Sequence, residues 1–100
     1  MARTLTVSRV RVRAGQERAY LAAVRELAAL HAGRGRRLWV FRRAGRAQEF
    51  LECSESSDEA THRAVAVPPE DERRLEARIR AVADYDAGAW DLWEEVRSEE

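Results

Sequence analysis

Chemistry in a small protein needs side chains that hold charge, protons or metals, and this chain carries a short supply of the usual ones. His31, His62 and Cys53 are the soft ligands, and no two of them stand at a metal-ligand spacing, so no metal site is expected. Cys53 falls in an apolar strand pattern with no neighbouring base, which suits a small buried hydrophobe better than a nucleophile. Gly33-Arg34-Gly35-Arg36 lacks the following helix that a phosphate-binding loop requires. The arginines are more informative. Arg9 and Arg11 share one face of a strand, Arg42 and Arg43 end another, and Glu49, Glu52 and Glu55 lie on its neighbour. Cross-strand ion pairing accounts for such a set. Arginines lining a pocket for an acidic or carbonyl-bearing ligand are the functional alternative. Trp39, Trp90 and Trp93 either pack a core or a dimer seam, or wall a cavity for an aromatic ligand.

These side chains need elements to position them. Arg36 to Glu55 reads as a β-hairpin, RRLWVFRR and QEFLECSE around a turn with Gly45. In its first strand Leu38 and Val40 point one way and Trp39 and Phe41 the other, so both faces need cover. In its second strand Phe50 shares a face with Glu52 and Ser54, and Leu51 shares one with Cys53. Before the hairpin, Thr4 to Arg13 is a strand with Leu5, Val7, Arg9 and Arg11 on one face and Ser8, Val10 and Val12 on the other. Its mixed phase predicts a bulge near Ser8 or two partly buried faces. Gln16 to Ala32 is a helix, with Tyr20, Val24, Leu27 and His31 at helical spacing and Gly33 and Gly35 at its end. After the hairpin, Ser56 and Glu59 form a capping-box pattern for a short helix over Ser57 to Ala66, stopped by Pro68. Pro69 opens a third helix with Leu75, Ile79 and Val82 as its stripe and acids in its first turn, fading near Asp84. Ala89 to Arg97 is the last strand.

The order β-α-β-β-α-α-β predicts an α+β fold, a ferredoxin-like sandwich with a four-stranded antiparallel sheet and helices on one face. The other face keeps Leu5 and Val7 together with tryptophan and phenylalanine side chains, too much apolar surface for a monomer. A homodimer closed through that open sheet face is therefore expected.

Composition limits the function classes. With 100 residues the chain, 1–100, is a single domain. All 18 basic residues are arginine, they are balanced by 18 acids, and lysine and asparagine are absent. Zero net charge argues against nucleic acid as a partner. The order of elements also matches an RNA-recognition module, but glutamates flank Phe50-Leu51-Glu52-Cys53, where that module needs a basic rim. No apolar run approaches membrane-spanning length, and the first ten residues carry no signal-type apolar region. One cysteine suits a reducing compartment. A cytoplasmic, bacterial protein is the expectation, the second part from the arginine and alanine bias alone.

TVSRVRVRAGQERAYLAAVRELAAL resembles the opening of the dimeric α/β-barrel proteins similar to antibiotic-biosynthesis monooxygenases, with Gly15 and Tyr20 matching and Ala14 standing where proline is common. QEFLECSESSDEA resembles their third strand and AWDLWEEV their last. The resemblance implies the ferredoxin-like fold, a dimeric α/β barrel, and a group of proteins that includes cofactor-free oxygenases, haem-degrading enzymes and small proteins without an assigned role. The departures count against carrying over catalytic residues: the polar asparagine of those enzymes has no counterpart, Ser54 stands near the place of a common tryptophan, and His62 does not align with their helical histidine.

Two functions follow. One is a small homodimeric ligand-binding or accessory protein. The other is a cofactor-independent monooxygenase acting on an aromatic or polyketide-like molecule. No cofactor is expected for either, and any ligand is small and hydrophobic or aromatic. Arg9, Arg11, Trp39, Glu52 and Trp93 are the residues expected to line its pocket. The arginines would anchor an anion or carbonyl, the tryptophans would stack, and Glu52 would orient the ligand or move a proton. The competing arrangement pairs Arg11 with Glu52 and packs the tryptophans in a seam.

Overall fold

The computed structural model describes residues 3–56, 68–89 and 91–96. Its elements are β1 (Thr4–Val12), α1 (Glu17–Ala32), β2 (Arg36–Arg42), β3 (Glu49–Ser56), α2 (Glu70–Val82), β4 (Ala83–Tyr85) and β5 (Leu92–Glu94). The expected helix over Ser57 to Ala66, with His62, and Trp90 lie outside the described residues.

The strands form one antiparallel sheet in the order β2-β3-β1-β4, and β5 also pairs with β1. The β1–β3 register runs without interruption from Thr4↔Ser56 to Arg11↔Glu49. No bulge interrupts β1; its mixed phase reflects burial on both faces. Ser8, Val10 and Val12 are buried beneath the helices, while Leu5 and Val7 are half-buried on the other side. The hairpin forms as its alternation requires, with Trp39↔Cys53 and Phe41↔Leu51 on one face and Val40↔Glu52 on the other. Gly45, at φ 79°, supplies the left-handed residue of its turn.

The chain after α2 departs from expectation. Instead of fading into a turn, it enters β4 at once, because Ala83 at the helix end is already extended (φ −144°, ψ 151°). Ala83–Tyr85 pairs with Val10–Val12, and Leu92–Glu94 pairs with Thr4–Thr6. The edge beside β1 is thus shared by two short strands, split by the turn that holds Gly88. The single last strand expected over Ala89 to Arg97 is reduced to Leu92–Glu94. Ser8 secures the split, its hydroxyl donating to the Ala89 carbonyl at 2.6 Å.

The helices cover one sheet face. Val10, Val12 and Phe50 from the sheet meet Tyr20, Ala23, Val24 and Leu27 of α1 and Leu75 and Ile79 of α2. The Tyr20 and Phe50 rings pack with centroids 4.8 Å apart. On the uncovered face Trp39 is 37% exposed, Phe41 56% and Trp93 60%. Trp39 is therefore not a core residue of the single chain, because the register places it with Cys53 and Leu51 and away from the helices. Among the described residues no helix is long and apolar enough to cross a membrane.

Candidate functional site

Between helices and sheet lies a buried carboxyl. Glu52 shares the inward parity of β3 with Phe50, which buries it. A carboxylate there needs donors, and two distant elements supply them. Tyr20, from the first turns of α1, donates its hydroxyl to Glu52 Oε2 at 2.6 Å. Tyr85, from β4, reaches across β1 and donates at 2.9 Å to Oε1 and 2.8 Å to Oε2. Desolvation is the largest influence on Glu52 and raises its pKa; the tyrosine hydroxyls pull the other way without cancelling it, and the Glu76 carboxyl adds to the rise. Both phenols are pushed well above their usual range by burial and by the neighbouring carboxylate. They stay protonated, so each keeps a hydroxyl hydrogen to donate to Glu52. The result is a carboxyl able to exchange a proton closer to neutrality than an exposed glutamate, inside an apolar seam.

A second polar cluster occupies the seam where α1 ends and α2 begins. Glu72 is fully buried, and Arg36 Nη2 donates to both its oxygens at 2.8 Å. Arg34 donates to Glu72 Oε2 and to Asp71 Oδ2, the latter at 2.7 Å. Burial pushes the Glu72 pKa up, but the hydrogen bonds from Arg36 and Arg34 outweigh it and leave the group below its ordinary value. His31 Nε2 sits 3.2 Å from Glu72 Oε1, yet neither ring nitrogen makes a hydrogen bond, and Arg36 Nη1 is likewise unpartnered. Desolvation, then the Arg36 charge, lower the His31 pKa and keep the ring neutral. Among the described residues no group of three histidine, cysteine or acidic side chains is placed to hold a metal ion.

The five residues expected to line a pocket divide between the two sheet faces. The register places Arg9 beside Leu51, Arg11 beside Glu49, Trp39 beside Cys53 and Trp93 beside Leu5, all on the uncovered face. Glu52 faces the helices, opposite Ser8 and Val40. Arg9 and Arg11 line an open concavity of about 600 Å³ at one end of the sheet, together with Phe41 and Leu51. Trp39, Trp93 and Glu52 do not line it. Arg11 stands 3.8 Å from Glu49 rather than pairing with Glu52. Sequence reasoning singled out Glu52 but missed its partners. Tyr20 was legible as part of an apolar stripe and as the aromatic of the family resemblance, but not as a partner of Glu52, and Tyr85 carried no periodic signal. One clue existed: a tyrosine in a core stripe must find a hydrogen-bond partner, and a glutamate in the Phe50 row must find a donor.

No protein-family model matches the chain, and no curated protein matches its sequence. Solved structures do. SnoaB, a cofactor-independent oxygenase from Streptomyces nogalater, superposes with a TM-score of 0.82 at 17% identity, covering 98% of this chain and 97% of that one. A conserved protein of unknown function from Bacteroides thetaiotaomicron, described as a possible oxidoreductase, gives 0.75 at 17% identity over 94% and 96%. An antibiotic biosynthesis monooxygenase assigned in Bordetella bronchiseptica gives 0.71 at 13% identity over 97% and 100%. Near-complete mutual coverage at this similarity establishes common architecture while leaving activity open. The chain has the ferredoxin-like fold of the antibiotic-biosynthesis-monooxygenase proteins.

Proposed function

We propose that this chain is a homodimeric, cofactor-independent oxygenase acting on a small aromatic or polyketide-like molecule, with Glu52 as the proton acceptor. The observation that carries this reading is the Glu52 carboxyl, raised in pKa by burial and held between two tyrosine hydroxyls at 2.6–2.9 Å. The likeness in fold to SnoaB supports it. In the reaction, a substrate CH₂ activated by an adjacent carbonyl or phenol loses a proton to Glu52. The resulting carbanion passes one electron to O₂, and the two radicals join as a peroxide. Glu52 returns its proton to that peroxide, and loss of water leaves a ketone. One O₂ is consumed per CH₂ converted to C=O, with one H₂O released. Tyr20 and Tyr85 orient the carboxylate and shield it from water.

The second reading, a ligand-binding or accessory protein, is favoured by one feature: both Glu52 oxygens already accept hydrogen bonds from tyrosine. An oxygen electrode with 1,8-dihydroxyanthrone as the probe separates the two. The oxygenase reading expects protein-dependent O₂ uptake, reduced about 10²–10⁴-fold in Glu52→Gln, the range for loss of a general base. Probe binding without uptake leaves the accessory reading. Neither binding nor uptake overturns both for this class of molecule.

A further inference from the structure

Both oxygens of Glu52 already accept hydrogen bonds, so the carboxylate can meet a ligand only where one of its tyrosine donors gives way. The two donors are held differently. Tyr20 is fully buried in the 16-residue helix α1, and its ring packs on Phe50 within the core. Withdrawing it would open a cavity there. Tyr85 is half-buried and ends β4, a strand of three residues. Asp86, Ala87 and Gly88 follow it at the surface, with Gly88 at φ 81° in the turn.

The strand register shows what Tyr85 closes. Val40, Glu52 and Ser8 form one row across β2, β3 and β1. On the outer edge of β1, β4 ends opposite Val10 and β5 begins opposite Thr6, so among the described residues no strand pairs with Ser8 there. The row that carries Glu52 therefore ends at a gap in the sheet edge, bridged by the turn whose Ala89 carbonyl accepts from Ser8. Tyr85 stands beside that gap, and its side chain reaches over β1 to bring its hydroxyl 2.9 Å from Glu52 Oε1 and 2.8 Å from Oε2. A change of its χ1 rotamer would carry the ring outward and leave a slot with the outline of a phenol, ending at the carboxylate. A buried carboxylate that loses a donor is costly to leave unsatisfied, so whatever enters the slot must bring a hydrogen-bond donor of its own. An anion is disfavoured, because Glu52 already feels the Glu76 carboxyl. A neutral hydroxyl on a flat ring meets both demands.

We propose that Tyr85 is an exchangeable donor: an aromatic hydroxyl on the ligand displaces the Tyr85 hydroxyl from Glu52 while Tyr20 stays bonded, so that Tyr85 selects ligands that bring a hydroxyl of their own. Tyr85 is thus a specificity-determining residue of the site read above as catalytic, and this role rests on that reading of Glu52 as the functional carboxyl. The exchange is the same whether the bound molecule is then oxidised or only held.

Titration calorimetry and NMR with 2-naphthol and its methyl ether, 2-methoxynaphthalene, test this under nitrogen, where no oxidation intervenes. Tyr20 and Tyr85 are the two tyrosines of the chain, so ring-¹³C-tyrosine labelling gives one signal set for each, and Tyr20→Phe or Tyr85→Phe alone assigns them. Wild type is expected to bind 2-naphthol at least tenfold more tightly than the ether, since a site that bonds a hydroxyl rejects the analogue lacking it. In the complex the Tyr85 signals should broaden with a soluble gadolinium chelate, as those of an exposed ring do, and the Tyr20 signals should not. Tyr85→Phe has no hydroxyl to displace, so its affinity for 2-naphthol should rise about tenfold or more, the range for one hydrogen bond to a charged group, with the ether unchanged. Tyr20→Phe should show no such gain, and Arg73→Gln on the outer side of α2 should leave both affinities as in wild type. Equal binding of naphthol and ether, no binding at millimolar 2-naphthol, a Tyr85 ring that stays protected in the complex, or the same gain in Tyr20→Phe would each overturn the proposal. Oxygen uptake with 1,8-dihydroxyanthrone separates this failure from that of the oxygenase reading. Uptake with Tyr85 protected overturns the exchange and keeps the oxygenase; exchange without uptake supports the role of Tyr85 and leaves Glu52 at a binding site.

Discussion

Glu72 offers a direct measure of how the helices are held to the sheet. It is an acid in the first turn of α2, where a carboxylate would ordinarily sit in solvent, yet it is fully buried. Its main partner, Arg36, is also buried and already has one nitrogen, Nη1, without an acceptor. Replacing Glu72 with glutamine keeps the shape and removes the charge. The Arg36 guanidinium then remains buried in the seam without the carboxylate it bonds. Breaking a buried pair in this way costs about 3–5 kcal/mol, much more than the pair itself contributes relative to apolar residues. For a domain of this size that corresponds to a fall in Tm on the order of 15–30 °C. The control is Glu70→Gln, two residues away. Its pairs with Arg73 at 3.4 Å and Arg74 at 3.6 Å are exposed, and their loss should cost about 0.5 kcal/mol or less. Urea and thermal melts followed by circular dichroism read both variants at pH 7. Replacing both partners, Glu72→Leu with Arg36→Met, should recover most of the loss, since no charge is then stranded. His31 supplies a separate reading by NMR: removing the Glu72 charge, which favours the imidazolium, should lower its pKa further. If Glu72→Gln and Glu70→Gln melt together, the charge in the seam is not held as described and the reasoning fails.

The pH dependence of stability should carry two opposite signatures. Glu52 has a raised folded pKa, so its contribution is full below its ordinary value of about 4.5 and is lost as pH rises through the raised value. The urea midpoint of Glu52→Gln should therefore gain on wild type as pH goes from 4 to 7, and a constant difference would refute this. His31 has a lowered folded pKa, so its contribution is full above about 6.5 and is lost as pH falls through the depressed value. Wild type should lose stability from pH 7.5 to 5 relative to His31→Phe, and parallel profiles would count against it. The exposed Trp39, Phe41 and Trp93 surface is expected to close a homodimer; sedimentation at micromolar concentration should give twice the 11.4 kDa chain mass, and Trp93→Glu should shift it to monomer. A monomeric wild type ends the dimer proposal.

Local patterns carried the elements and the faces within each one. Helical spacing of Tyr20, Val24, Leu27 and His31 placed α1 within a residue of its observed start, and all four are buried. Two-residue alternation sorted Leu38 and Val40 from Trp39 and Phe41, and Phe50 and Glu52 from Leu51 and Cys53. Such patterns are local because a side chain's direction depends only on its own backbone period. Relating the face of one strand to the face of another needs the register. The pairing of Val10 with Phe50 puts Glu52 on the helix side and Arg9, Arg11, Trp39 and Trp93 on the other. That step was within reach, since Val10 and Phe50 are both core residues and their parities exclude Glu52 from the arginine face. β4 was not within reach. Ala83 lies four residues after Ile79 and continues the helical stripe, and only the open edge of β1 draws it into a strand. Nor could spacing reveal the two buried clusters. Tyr20 and Tyr85 lie 32 and 33 residues from Glu52, and Arg36 lies 36 from Glu72. Composition and periodicity determined which residues were apolar, helical or extended. The folded chain decided which charges lost their water, because desolvation depends on what every other element stacks against them.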